Sequence, residues 1–190
     1  MIDPRTVIEF WFSKQARERW FEKDADFDAE IRARFGAAIH AAQSGAFDRW
    51  RDTTMGTLAL LILLDQMARN IHRGQARAFL GDTRALAIAD EAIKRGFDQG
   101  LSFGQRRFFY LPFEHAEDMA NQDRAIQLFT QLYEEAAPQD KDQAEIQLDY
   151  AHRHRDIIQR FGRYPHRNVA LGRPSTDDEI AFLKTPGSSF

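Results

Sequence analysis

The sequence predicts an all-α protein, on three observations. Apolar residues recur at three- and four-residue spacing through most of the 190-residue chain. Helix start and stop residues bracket each periodic stretch, and no segment alternates with period two between turn residues. With 43% apolar residues, including 16 Phe and 3 Trp, the chain has enough material for a packed core, which excludes general disorder.

Taken in order, Asp3 and Pro4 form a cap and first-turn pair opening a short helix through Phe12, with Val7, Ile8 and Trp11 on its apolar side. A linker carrying Trp20 and Phe21 follows. Phe27, Ile31, Phe35, Ile39 and Ala42 predict a helix from Asp26 to Ser44, stopped by Gly45. The stretch Thr54 to Ile71 differs, because Leu58 to Leu64 is apolar on every side, as expected of a helix enclosed by others. Helices are next predicted at Asp82 to Arg95, ended by Gly96; at Ser102 to Ala120, with Pro112 inside; and at Gln122 to Ala137, ended by Pro138. Lys141 to Phe161 is a long late helix, and Thr176 with Glu179 has the capping-box spacing that opens a last one through Leu183. Short connections predict antiparallel neighbours, which allows a bundle or a stack of helical hairpins around the central apolar helix, about seven to eight helices in all. One domain over residues 1–184 is expected, with a frayed tail at 185–190. The hairpin from Arg106 to Pro138 matches the second helix of a tetratricopeptide (TPR) unit at Ala125, Phe129 and Pro138, but Phe109 and Pro112-Phe113 fit the first helix poorly, and Glu91 and Arg95 stand where an upstream repeat needs Ala and Phe.

Composition narrows the function classes. The absence of cysteine removes disulfides, zinc-thiolate sites and thiol nucleophiles, and suits a cytoplasmic protein. Asp3, Arg5 and Glu9 near the start do not fit a secretory signal. The longest apolar run, the seven residues Leu58 to Leu64, falls short of the roughly 20 that span a membrane, so a soluble protein with no membrane partner is expected. A net charge of −3 argues against a nucleic-acid partner.

Several separate strings then resemble one family. They are Phe10-Trp11-Phe12; Leu58 to Leu64 continuing through Asp65-Gln66-Met67-Ala68-Arg69-Asn70-Ile71-His72-Arg73-Gly74; Leu111-Pro112-Phe113-Glu114-His115; and Arg160-Phe161-Gly162-Arg163-Tyr164-Pro165-His166-Arg167-Asn168. Leu171-Gly172-Arg173 with Ser175-Thr176 and Glu179 completes the set. Together they resemble bacterial domain-of-unknown-function family 924, which implies a TPR-like helical fold and brings no reaction. The chain departs from that pattern at Met67-Ala68, where Phe-Pro is expected, and at Ala116, where Ser is expected.

The same strings hold the candidate site residues. Asp65 follows the apolar run on the side of Leu58 and Leu61, and Arg69 and His72 continue that side, so Asp65 is expected buried and paired with an arginine. Glu114 and His115 follow the helix-bending Pro112 and are the candidates for acid–base chemistry. Between Ile157 and Thr176, four arginines stand without an acid, so the rest of the chain carries −7. Ordered arginines call for carboxylates of the same chain or for an external anion. The expected binding set is therefore Asp65, Arg69, Asn70, His115, Arg163, His166, Arg167 and Asn168, lining one pocket for a small anion or a peptide carboxylate. The alternatives are a hydrolase-type enzyme using Glu/His or a metal in that pocket, and a protein-binding scaffold. The pairs His115/Asp118 and Asp149/His152 match only part of a helical-bundle metal pattern, so no metal and no cofactor is expected. No Gly-rich phosphate loop, His-Glu-x-x-His helix or serine elbow is present, and the sequence leaves open whether the protein is an enzyme.

Overall fold

The computed structural model describes residues 2–188, and among them helices are the regular structure and no strand occurs. The chain divides into two compact units, one running to Arg73 and resuming over Arg77–Pro112, the other made of Gly74–Ala76 and the chain from Phe113 onward.

The first unit is built around the apolar run. Helices α1 (Pro4–Trp11), α2 (Lys14–Arg17) and α3 (Ala25–Gln43) lead to α4 (Thr54–Leu61), which passes through a π-helical turn (Ile62–Met67) into α5 (Ala68–Ile71). Leu58 to Leu64 are all buried, because α1 and α6 (Asp82–Lys94) pack on α4 and α3 packs on the π turn and α5. Enclosure on all sides explains why this stretch has no polar face. The π turn ends at Met67, just before Ala68 and Arg69. A break in α-helical geometry is therefore made here without proline. Gly81 lies against it, and a Cβ there would overlap the Leu64 carbonyl. Aromatic rings fill the adjoining core. Trp11 stacks on Trp20 at 5.9 Å between centroids, Trp20 donates from Nε1 to the Trp11 carbonyl at 2.8 Å, and Phe108 meets Trp11, Phe12 and Trp20 edge-on. Trp50 stacks on Phe47.

The predicted helix from Ser102 to Ala120 is two helices instead, α7 (Phe103–Glu114) and α8 (Met119–Glu135). Pro112 contributes no N–H to α7, and Asp118 starts α8 by accepting from the N–H groups of Ala120 at 2.7 Å and Asn121 at 3.3 Å. Asp118 thus caps the following helix and does not share a face with His115.

In the second unit α8 packs along α9 (Lys141–Phe161), which ends where Gly162 takes a left-handed conformation, φ 68°. A short 3₁₀ turn (Pro165–Arg167) follows, then a loop into α10 (Asp177–Phe182). The predicted capping box is present: Thr176 Oγ1 accepts from the Glu179 N–H, and Glu179 Oε2 accepts from the Thr176 N–H. Ile157, Ile158 and Tyr164 form a core joined by Met119, Phe161 and Phe182. Ser188 is buried and donates to the Leu183 carbonyl at 3.2 Å; of the tail expected at 185–190, residues 189 and 190 lie outside the described residues.

Candidate functional site

The end of α7 determines the site. Its last carbonyls need donors, and the buried Gln122 of α8 supplies them: Nε2 lies 2.7 Å from the Glu114 carbonyl and 2.7 Å from that of Ala116. The Tyr164 hydroxyl donates to the same Glu114 carbonyl and lies 2.9 Å from Gln122 Nε2. Helix α7 thus stops at Glu114, and His115 falls in a turn. Consecutive residues inside a helix point about 100° apart. Outside it, His115 is released from that rotation, and Glu114 and His115 both reach His154.

His154 comes from the buried stripe of α9, which reads Ala144, Gln147, Ala151, His154 and Ile158. Its Nδ1 faces the Tyr150 carbonyl at 2.8 Å and Glu114 Oε1 at 3.5 Å. Flanked by two oxygens, Nδ1 is the nitrogen that carries the proton. One ligand atom from each of Glu114, His115 and His154 lies within 4.8 Å of the others. Burial, followed by the neighbouring His115, Arg167 and His166, holds the His154 pKa well below the ordinary imidazole value, so this ring is neutral at neutral pH.

Arginine and tyrosine complete the cluster. The Arg167 guanidinium is buried and sits 4.5 Å from the centroid of the Tyr164 ring. Tyr164 meets His154 edge-on at 5.6 Å and His166 at 5.6 Å, and His115 lies 6.2 Å from His154. Burial pushes the Tyr164 phenol upward, so it stays protonated and can donate. Glu114, His154, Tyr164 and Arg167 are buried, whereas His115 and His166 are half-buried.

The arginine-rich loop around it is held mainly by carboxylates of its own unit. Arg173 forks onto Glu117 at 2.5 and 2.9 Å, and Glu117 also accepts the Tyr164 N–H at 2.7 Å. Burial works against the Glu117 charge, but these bonds outweigh it and lower its pKa. Arg163 forks onto Glu179 at 2.7 and 2.9 Å, and Asn168 adds a third donor at 3.3 Å. The Arg163 bonds lead in depressing the Glu179 carboxyl to about 2.

The predicted site residues fall into two groups. Asp65, Arg69 and Asn70 belong to the first unit and are engaged there: Arg69 lies 3.1 Å from Asp65 and 3.0 Å from Asp82, and Asn70 donates to Asp28 at 2.8 Å. His115, Arg163, His166, Arg167 and Asn168 belong to the second, where His115, His166 and Arg167 join the cluster and Arg163 and Asn168 meet at Glu179. Glu117 and Glu179 serve Arg173 and Arg163 of the loop. Sequence reasoning missed His154, Tyr164 and Gln122. Only His154 carried a usable signal, a histidine in register with the apolar stripe of its helix. A groove of about 290 Å³ on the first unit, lined by Thr6, Glu9, Ser13, Arg19 and Arg34, holds no histidine.

Among the described residues no helix is long and apolar enough to cross a membrane. No curated protein matches the chain. A solved structure, that of the protein of unknown function ATU0120 from Agrobacterium tumefaciens, is similar to it at 42% sequence identity and a TM-score of 0.85, covering 95% of this chain and 96% of the other. The model of the family described as "Bacterial protein of unknown function (DUF924)" matches residues 7–187, and with the all-helical fold in hand the chain belongs to that family.

Proposed function

We propose that the second unit binds a small carboxylate- or phosphate-bearing ligand at the His115, His154, His166 and Arg167 cluster. The observation that carries this reading is the convergence of the positively charged Arg167 guanidinium and the His115 and His166 imidazoles on the buried His154. Glu179 is forked by Arg163 and Glu117 by Arg173; Glu114 lies inside the cluster, and the Glu117 charge also reaches Arg167 and Tyr164. The positive charge of Arg167 in a partly enclosed place favours an anion. The half-buried His115 and His166 give the ligand its approach, and Tyr164 supplies a protonated hydroxyl. The TPR-like stacking of hairpins belongs to the same proposal, with α8 and α9 as the hairpin that carries the site.

Isothermal calorimetry on EDTA-treated protein with phosphate, sulfate and malonate tests it. Saturable binding at millimolar ligand is expected. His166→Asn or Arg167→Gln should weaken it about 10- to 100-fold, the value of one or two charge-assisted hydrogen bonds. Arg163→Gln, whose guanidinium is already engaged by Glu179, should leave it unchanged. Absent binding, or equal losses in all three variants, would overturn the reading.

The 3.5 Å separation of Glu114 from His154 favours a second reading, in which this pair moves a proton in a hydrolytic reaction on the bound anion. Glu114→Gln would then abolish turnover of a phosphate or carboxylate ester while preserving anion binding.

A further inference from the structure

The geometry points to a metal site: we propose that Glu114, His115 and His154 form a two-histidine, one-carboxylate donor set for a divalent first-row transition metal. Their ligand atoms lie within 4.8 Å of one another, with the His154 Nδ1 held by the Tyr150 carbonyl and its Nε2 left as the donor. Donors about 2.0–2.2 Å from a shared metal lie roughly 3–3.5 Å from each other. The remaining closure is of side-chain rotamer size, and His115 stands half-buried in a turn outside the helix.

Backbone architecture supports this donor set in two ways. The halt of α7 at Glu114, enforced by Gln122 and Tyr164, lets two consecutive residues face the same point. The Tyr150 carbonyl holds His154 through Nδ1, an outer bond of the kind that fixes the orientation of ligating imidazoles. Two imidazoles and one carboxylate select zinc, cobalt, nickel, iron or copper over magnesium and calcium, which prefer oxygen donors throughout. Three protein donors leave open positions on the ion, as catalytic sites do.

The neighbouring charges set the conditions of binding. Arg167 and His166 face the donors, and a dication beside them adds to a positive field. An anion in an open position offsets that field, so metal and anion bind with positive coupling. This coupling rests on the anion reading above; the donor set does not.

Optical titration of EDTA-treated, dialysed protein with Co²⁺ tests the site, in the presence and absence of sulfate. Saturable binding of one equivalent with visible d–d bands is expected, displaced by Zn²⁺ and not by Mg²⁺. His115→Ala, the variant least exposed to a folding defect because this side chain is half-buried, should lose more than the ~10- to 100-fold in affinity that an outer-shell change costs. Far-UV circular dichroism confirms its helicity, and His152→Ala, exposed on the same helix as His154, should bind as wild type. Retention of full affinity in His115→Ala, or loss in His40→Ala at the His40/His72 pair of the first unit, overturns the proposal, as does absence of saturable binding with and without sulfate. Tightening by sulfate supports both sites. One-equivalent, His115-dependent binding indifferent to sulfate upholds the metal site and counts against the anion site.

Discussion

Gln122 is fully buried, and its single amide group holds the end of one helix, the turn that follows it and a tyrosine hydroxyl. Gln122→Leu keeps much of the volume and leaves the Glu114 and Ala116 carbonyls short of a donor. Leaving a buried polar group unpaired costs about 1–3 kcal/mol, and the Tyr164 hydroxyl compensates at only one of the two carbonyls. Urea denaturation should show a loss in that range for Gln122→Leu, a smaller one for Tyr164→Phe, and non-additivity in the double variant because both serve Glu114. Strict additivity would mean that the two groups do not share that carbonyl. At this scale the sequence was legible where a partner is local. Asp65 and Arg69, four apart on one helix side, form a 3.1 Å pair. Arg69 also carries Asp82, from the next helix, and that contact could not be counted from spacing. Gln122 was illegible for a physical reason: its role exists only once α7 has stopped.

Most helix boundaries could be read because capping is a short-range interaction between neighbours in sequence. Asp3, Gly162 and the Thr176/Glu179 box all act where the sequence places them. The exception is the run from Ser102 to Ala120, where periodicity continues across the break and conceals it. Its consequence is large, since the break allows Glu114 and His115 to share a focus. The last helix carries a pH signature. With Arg163 leading, the Glu179 pKa is depressed from the ordinary 4.5 to about 2. A depressed carboxyl stabilises the folded state fully above its unfolded value and loses that contribution as the pH falls toward the folded one. Stability measured by urea should therefore fall between about pH 4.5 and 2 in the wild type, and Glu179→Gln should both lower it at pH 7 and flatten that part of the acid limb. An unchanged acid limb in Glu179→Gln would show that the capping box is maintained without the charge.

Across the chain, the helical class and the central place of Leu58 to Leu64 were legible because burial on all sides demands an apolar residue at every position. Amides of this segment should be among the slowest to exchange with deuterium in the first unit, since water reaches them only when the packed helices around them open. Fast exchange there, at the rate of the exposed turns, would contradict the enclosure. The division after Pro112 was not legible, because the helical pattern runs through it and no linker marks it. The aromatic core described above has a spectroscopic consequence. Trp11, Trp20 and Trp50 are the three tryptophans of the chain, and all belong to the first unit. Indole emission is thus an optical tag on one unit, while far-UV ellipticity sums the helices of both. If the two signals give superimposable denaturation curves, the units unfold as one cooperative system; if the curves separate, each unit has its own free energy of unfolding, and the emission trace isolates that of the first.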